Sequence, residues 1–257
     1  MFAFHHRRAL LTRTGATLLA LGLGTAALAQ ESDGYERFVA AITSPAISDL
    51  TFERDMQIGF EQGLRMDPEI AADDEACPGL VAGVREAVTP VMRESHDAGF
   101  QRYRDNLEAL FREGMTPAEA ASAADFYETE LAQHFLATFI KQSVADSALE
   151  EVMGEEALAQ EEVADISKEA MQADKRASVW RLMATLAPEE FQAVIDQLRA
   201  ADWFASYNRL RPQINAFQLE MANEELTPEQ DERFNTAIED FMAAHYEQCE
   251  VPDEPEE

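Results

Sequence analysis

Three short stretches of this chain each carry the signals that begin a helix: Met115-Thr116-Pro117-Ala118-Glu119, Leu186-Ala187-Pro188-Glu189-Glu190 and Leu226-Thr227-Pro228-Glu229-Gln230. In each, proline occupies the first helical position, where its missing N–H sacrifices no hydrogen bond. Thr116 and Thr227 offer hydroxyls to unpaired backbone N–H groups, and Glu119 and Gln230, three residues on, complete capping boxes. The uneven spacing of these starts argues against a solenoid of fixed repeats. Beyond the first of them, Ala120, Ala124, Tyr127, Leu131, Phe135 and Phe139 recur at steps of three or four and share one helical face. Gly114, just ahead, is placed to close the preceding helix in the left-handed conformation.

The same period runs through most of the chain. Tyr35 to Ile42 predicts a first helix, and Phe52, Met56, Ile58, Phe60 and Leu64 a second that ends near Asp67-Pro68. Residues 71–76 form an acidic loop in this scheme, and Leu80 to Phe111 a long helix with Thr89-Pro90 as kink or boundary. The helix from Thr116 is expected to reach about Val144, and later ones to start at Pro188, Pro212 and Thr227. Phe234, Ile238, Phe241 and His245 make a stripe on the last of these. Between them, Ser147 to Ala177 is strongly acidic, which reads as the solvated face of a helix, with a cation site as the alternative. No stretch alternates apolar and polar residues long enough for a strand. The expected fold is therefore all-α: a bundle of about seven to nine helices, divisible into packed lobes at 30–146 and 147–249, with a disordered acidic tail at 250–257.

The front of the chain is an address. Arg7, Arg8 and Arg13 form a basic start, Ala16 to Leu23 a short apolar segment, and Ala27-Leu28-Ala29 a small-residue cleavage site. Arg7-Arg8-Ala9-Leu10-Leu11 also resembles a twin-arginine signal, so the general secretory and twin-arginine routes both stay open. Residues 1–29 are thus expected to be removed after Ala29, leaving a periplasmic protein with no stable membrane insertion. The whole chain has 20 basic and 50 acidic residues; removing the three arginines leaves 17 against 50, a formal −33. That charge repels nucleic-acid phosphate, and no nucleic acid is expected as partner.

Cys77 and Cys249 both lie in the mature part, and in an oxidising compartment the simplest expectation is that they pair. Two separate buried thiols are the alternative, and a reactive pair is disfavoured by their distance in sequence. The mature chain holds His96, His134 and His245. Arg93, Leu131 and Met242 stand three residues before them, so the Glu-x-x-His ligand pattern of helical di-iron proteins is missing. Glu130 and His134 lie one turn apart, as metal ligands could, but with no further ligand at suitable spacing they read as a polar pair beside the aromatic stripe. Neither catalytic residues nor a metal or cofactor is expected.

Thr116 and Glu119 at the helix start, followed by Phe126 and Tyr127, resemble the pattern of a bacterial exported family numbered 2059 among the domains of unknown function. The likeness spans about residues 77–139. That family continues Ser-Pro-x-Gly, whereas Glu128-Thr129-Glu130-Leu131-Ala132 here keeps only the hydroxyl at Thr129. The resemblance implies a helical periplasmic domain with no assigned activity. Together these features favour a non-catalytic interaction or envelope-associated protein, with another envelope protein or a second copy as partner. A carrier of a small apolar ligand or a cation is the alternative.

Overall fold

The structure, a computed structural model, describes residues 33–66, 68–153 and 165–249. The expected signal segment with Ala29, the middle of the acidic run and the tail at 250–257 lie outside them. In chain order the helices are α1 (Gly34–Ile42), α2 (Pro45–Met66), α3 (Pro68–Ala76), α4 (Leu80–Gly114), α5 (Pro117–Tyr127), α6 (Glu130–Lys141), α7 (Asp146–Met153), α8 (Lys168–Thr185), α9 (Pro188–Ala200), α10 (Phe204–Ala222) and α11 (Pro228–Gln248). No strand occurs among the described residues, and the all-helical expectation holds.

Four local expectations are corrected. The acidic stretch 71–76 belongs to α3 rather than to a loop. Pro68 and Glu69 start that helix, with its carboxylate at the favourable end of the dipole. The helix from Thr116 stops at Tyr127, because Thr129 caps a new one by accepting the Ala132 N–H at 3.2 Å. The expected single stripe is therefore split: Ala120 and Ala124 are fully buried beside α1, while Phe135 turns towards Phe191 of α9 at 6.4 Å. Pro212 lies inside α10, not at its start. It sits on the exposed side, where water can meet the carbonyl its ring leaves unpaired. Gly114 is the last residue of α4 rather than a left-handed cap. Its missing side chain makes room for Leu210, since a Cβ there would fall 2.4 Å from that side chain.

Two apolar clusters organise the bundle. The larger gathers Phe38 of α1, Leu107 and Phe111 of α4, Ala120, Ala123 and Ala124 of α5, and Trp203, Leu210 and Ile214 from the start and body of α10. Phe38 and Phe111 stack at 4.6 Å, and Trp203 sits 5.7 and 5.8 Å from Phe126 and Tyr127. The close seating of α1 on α5 depends on small residues. At Gly34 a Cβ would lie 2.7 Å from the Ala121 backbone nitrogen. The smaller cluster joins Phe52 and Met56 of α2, Val88 and Val91 of α4, and Leu226 and Phe234 around the start of α11. Both clusters draw on residues from either side of position 147.

The α7–α8 corner is held by a buried carboxylate instead of an apolar plug. Asp174 of α8 accepts the Ser147 and Ala148 backbone N–H groups at 2.8 and 2.9 Å, capping α7 from a distance in sequence. Ser178, one turn on, donates to the Asp174 carbonyl and accepts the Val144 N–H at 3.1 Å. Asp174→Ala would strand both amides at a helix N-terminus. The expected loss is about 2–4 kcal/mol of unfolding free energy in urea denaturation; a loss no larger than that of an exposed Asp→Ala would refute the capping role.

Candidate functional site

The family-like residues are structural in this chain. Thr116 accepts the Glu119 N–H at 3.2 Å, and Glu119 accepts the Thr116 N–H at 2.7 Å, as the capping box requires. The other Glu119 oxygen accepts the Ser206 hydroxyl at 2.6 Å, tying α5 to α10. Ser206 first, then the Thr116 backbone, hold the Glu119 carboxyl below its ordinary range. Phe126 and Tyr127 pack on Trp203 at the edge of the larger cluster. Burial pushes the Tyr103, Tyr127 and Tyr207 hydroxyls above the ordinary tyrosine range, so none is poised as a base near neutral pH.

The histidines occupy different settings. His96 is buried between Phe52, edge-on at 5.3 Å, and Phe100, stacked at 5.4 Å, and shares a 3.2 Å hydrogen bond with Ser48. Burial lowers its affinity for a proton. His134 and Glu130 are both exposed on α6. Among the described residues, the group of three or more metal-capable side chains that converges within 4.8 Å is Cys77, His245 and Cys249, and the α6 pair is not part of it. Cys77 and Cys249 lie at disulfide distance with Cα atoms 5.8 Å apart, inside the range a bridge requires. His245 stands against Cys77 with its ring stacked on Phe241 at 5.1 Å. Gly79, at φ 101°, makes the left-handed turn that carries the chain from Cys77 into α4.

A groove of about 650 Å³ runs between α1 and α4, lined by Glu36, Arg37, Arg104, Asp105, Glu108 and Glu128 among others. Arg37 is already committed there, at 2.7 Å to Asp125 and 2.5 Å to Glu128. With charged walls and an internal ion-pair lattice, this groove gives an apolar ligand little to bind.

Helix α8 is unlike its neighbours. Its inward stripe is Asp174, Ser178 and Leu182, mostly polar, whereas the opposite stripe carries Val179, Trp180 and Met183 at 41%, 70% and 43% exposure. Arg176 lies exposed on that outer face, whereas Arg181, also exposed, turns towards α7 and pairs with Asp146 at 3.5 Å. The helix is thus inverted, with apolar and cationic groups outside on a chain whose charge is otherwise heavily negative. The sequence contained the spacing of Val179, Trp180 and Met183, but periodicity alone assigns such a stripe to the core. Only the carboxylate cap shows which face turns inward.

Lys175 borders this inner face. Its ammonium donates to Asn215 at 2.7 Å and Gln218 at 2.6 Å on α10, and Gln218 donates on to the Tyr103 hydroxyl. Burial, then the nearby Arg211, bring the Lys175 pKa down to about 8 from 10.5. A base with a lowered folded pKa carries fewer protons folded than unfolded across this window, so stability should rise with pH from about 8 to about 10.5. Lys175→Met is expected to remove about 1–2 kcal/mol of that rise, allowing for solvent screening at a part-exposed site. Urea midpoints of both proteins across the window provide the check, and equal slopes would refute the assignment.

No family model matches this chain, and no curated protein and no solved structure is significantly similar to it.

Proposed function

We propose that this chain is an exported, periplasmic interaction protein that docks a partner on the outer face of α8 and performs no catalysis of its own. One observation carries the reading: Trp180 is 70% exposed and flanked by exposed Val179 and Met183 on a helix whose buried stripe is polar. A helix that leaves its apolar side in water forgoes roughly 1.5–3 kcal/mol for each large side chain it could have buried. A partner that covers the stripe recovers that stabilisation. Arg176, one turn before Trp180, adds a cationic group beside the tryptophan, which favours a partner with an apolar spot edged by a carboxylate. The signal-like first 29 residues support a periplasmic setting for this event, and the resemblance of residues 77–139 to a helical exported family fits the same reading.

The test is site-specific photocrosslinking in the periplasm with benzoylphenylalanine at position 180, with exposed Glu189 on α9 as control. A discrete crosslinked species from position 180, identified by mass spectrometry as one envelope protein or a second copy, is the expected result. It should vanish on introducing Val179→Glu and Met183→Glu together. Equal, diffuse labelling from both positions would defeat the docking reading.

A further inference from the structure

The bridge between Cys77 and Cys249 has a chemically asymmetric setting. Cys77 is buried, whereas Cys249, just past the end of α11, is half-buried. All three side chains lie within 4.8 Å of one another, but the hydrogen bonds of His245 go to Cys77. Its Nε2 lies 3.1 Å from the Cys77 carbonyl oxygen and 3.0 Å from the Cys77 sulfur. A carbonyl oxygen can only accept, so Nε2 must carry the hydrogen, and the same N–H is shared between that oxygen and the sulfur. The competing donors nearby are already engaged. Asp74 accepts the Gly79 and Val81 N–H groups at 3.2 and 2.9 Å, and the Tyr246 hydroxyl donates to Asp73 at 3.4 Å. Among these groups, His245 is the donor aimed at sulfur.

We propose that Cys77–Cys249 is an exchange-competent bridge in which an external thiol attacks Cys249 and His245 stabilises Cys77 as the departing sulfur. The attacking thiol first releases its proton to solvent. Its thiolate then bonds to the Cys249 Sγ from the open side, the bond between the two cysteines breaks, and the electron pair leaves with the Cys77 Sγ. The Nε2–H then donates fully to that thiolate. The products are a mixed disulfide on Cys249 and a hydrogen-bonded thiolate on Cys77, and the reverse step restores the bridge. Exchange is fastest when the departing sulfur is the better-stabilised thiolate, which makes attack at Cys249 the preferred direction. The partner class is a thiol, small or on another protein. A metal site built from Cys77, Cys249 and His245 is the less favoured use of the same residues, because Nε2 would have to surrender the hydrogen it gives to the carbonyl. This inference is independent of the α8 docking surface.

The experiment uses the whole mature chain, exposed briefly to 2-mercaptoethanol, acid-quenched, alkylated and mapped by peptide mass spectrometry. The expected intermediate carries mercaptoethanol on Cys249 and the alkyl label on Cys77. His245→Phe keeps a ring to stack on Phe241 but has no N–H, and should slow opening about tenfold, the value of one hydrogen bond to a charged group. A purely structural histidine predicts the opposite sign, since loosening the end of α11 would expose the bridge and speed its reduction. Adducts on Cys77, an even split, or an unchanged or faster rate in His245→Phe would overturn the proposal. So would stoichiometric zinc on the reduced native protein, seen by native mass spectrometry and lost with His245→Phe. The adduct position in the unmutated chain tests the direction of attack even if the variant fails to fold.

Discussion

Trp203→Ala should lower the unfolding free energy by about 3–5 kcal/mol, enough to abolish folding of a marginal domain. Trp203 is 1% exposed at the junction between α9 and α10 and is surrounded by Phe38, Phe126, Tyr127, Phe204 and Tyr207. These rings come from α1, α5 and α10, so truncation opens a cavity that no single helix can close by shifting. Trp203→Phe keeps most of the ring and should lose roughly a third as much. Urea denaturation followed by circular dichroism measures both. Trp180→Ala is the matched control: on its exposed face the same truncation should change stability by less than about 0.5 kcal/mol. If the two tryptophans behaved alike, the burial pattern of α8 and the larger cluster would both be misassigned.

Removing the bridge is the second large effect. Cys77 and Cys249 are separated by 172 residues, for which the chain-entropy model gives roughly 5 kcal/mol, an upper figure because native strain is neglected. Cys249→Ser is expected to lose about 2–5 kcal/mol, and the unmutated chain in reductant should lose a similar amount. A reduced chain that unfolds at the same urea concentration as the oxidised one would show that the pair does not hold α11 in place. The loss should also be local in its first stage. Without the bridge, the end of α11 is held by contacts such as Phe241 against Gly83 of α4, His245 on Cys77 and Tyr246 on Asp73, and its amides should exchange hydrogen well before those beside buried Phe234.

Much of the fold could be read from local signals because those signals are local in origin. Thr116 with Glu119 and Thr227 with Gln230 satisfy their own helix ends, and both capping boxes form as written. The even cysteine count and the export-like leader led to the expectation of a pair, and Cys77 and Cys249 do lie at disulfide distance. What failed to show was geometry set by partners far away in sequence. Gly114 carries the composition of a helix terminator, yet its real constraint is Leu210, almost a hundred residues on. Thr129 restarts a helix that a continuous aromatic stripe would prolong, because periodicity measures the face of a helix and not its direction. Asp174 looked like one acid among many until its two amide partners at 147 and 148 were in view. By sequence His245 is one member of the stripe on the last helix, since nothing in the spacing from Phe241 reveals the sulfur of a residue 168 positions earlier.

The two apolar clusters also impose an order on synthesis. A chain emerging from its N-terminus presents α1, α4 and α5 early, with Phe38, Phe111 and Leu107 ready to collapse together. Neither cluster can close then. The first waits for Trp203, Leu210 and Ile214, the second for Leu226 and Phe234, and the bridge for Cys249. At a synthesis rate of about 5–20 residues per second, the early helices must wait several seconds for their covers. Folding of this chain is therefore a terminal event, completed only as its last helix arrives, and anything that delays that helix leaves the aromatic half-core open to whatever else is near.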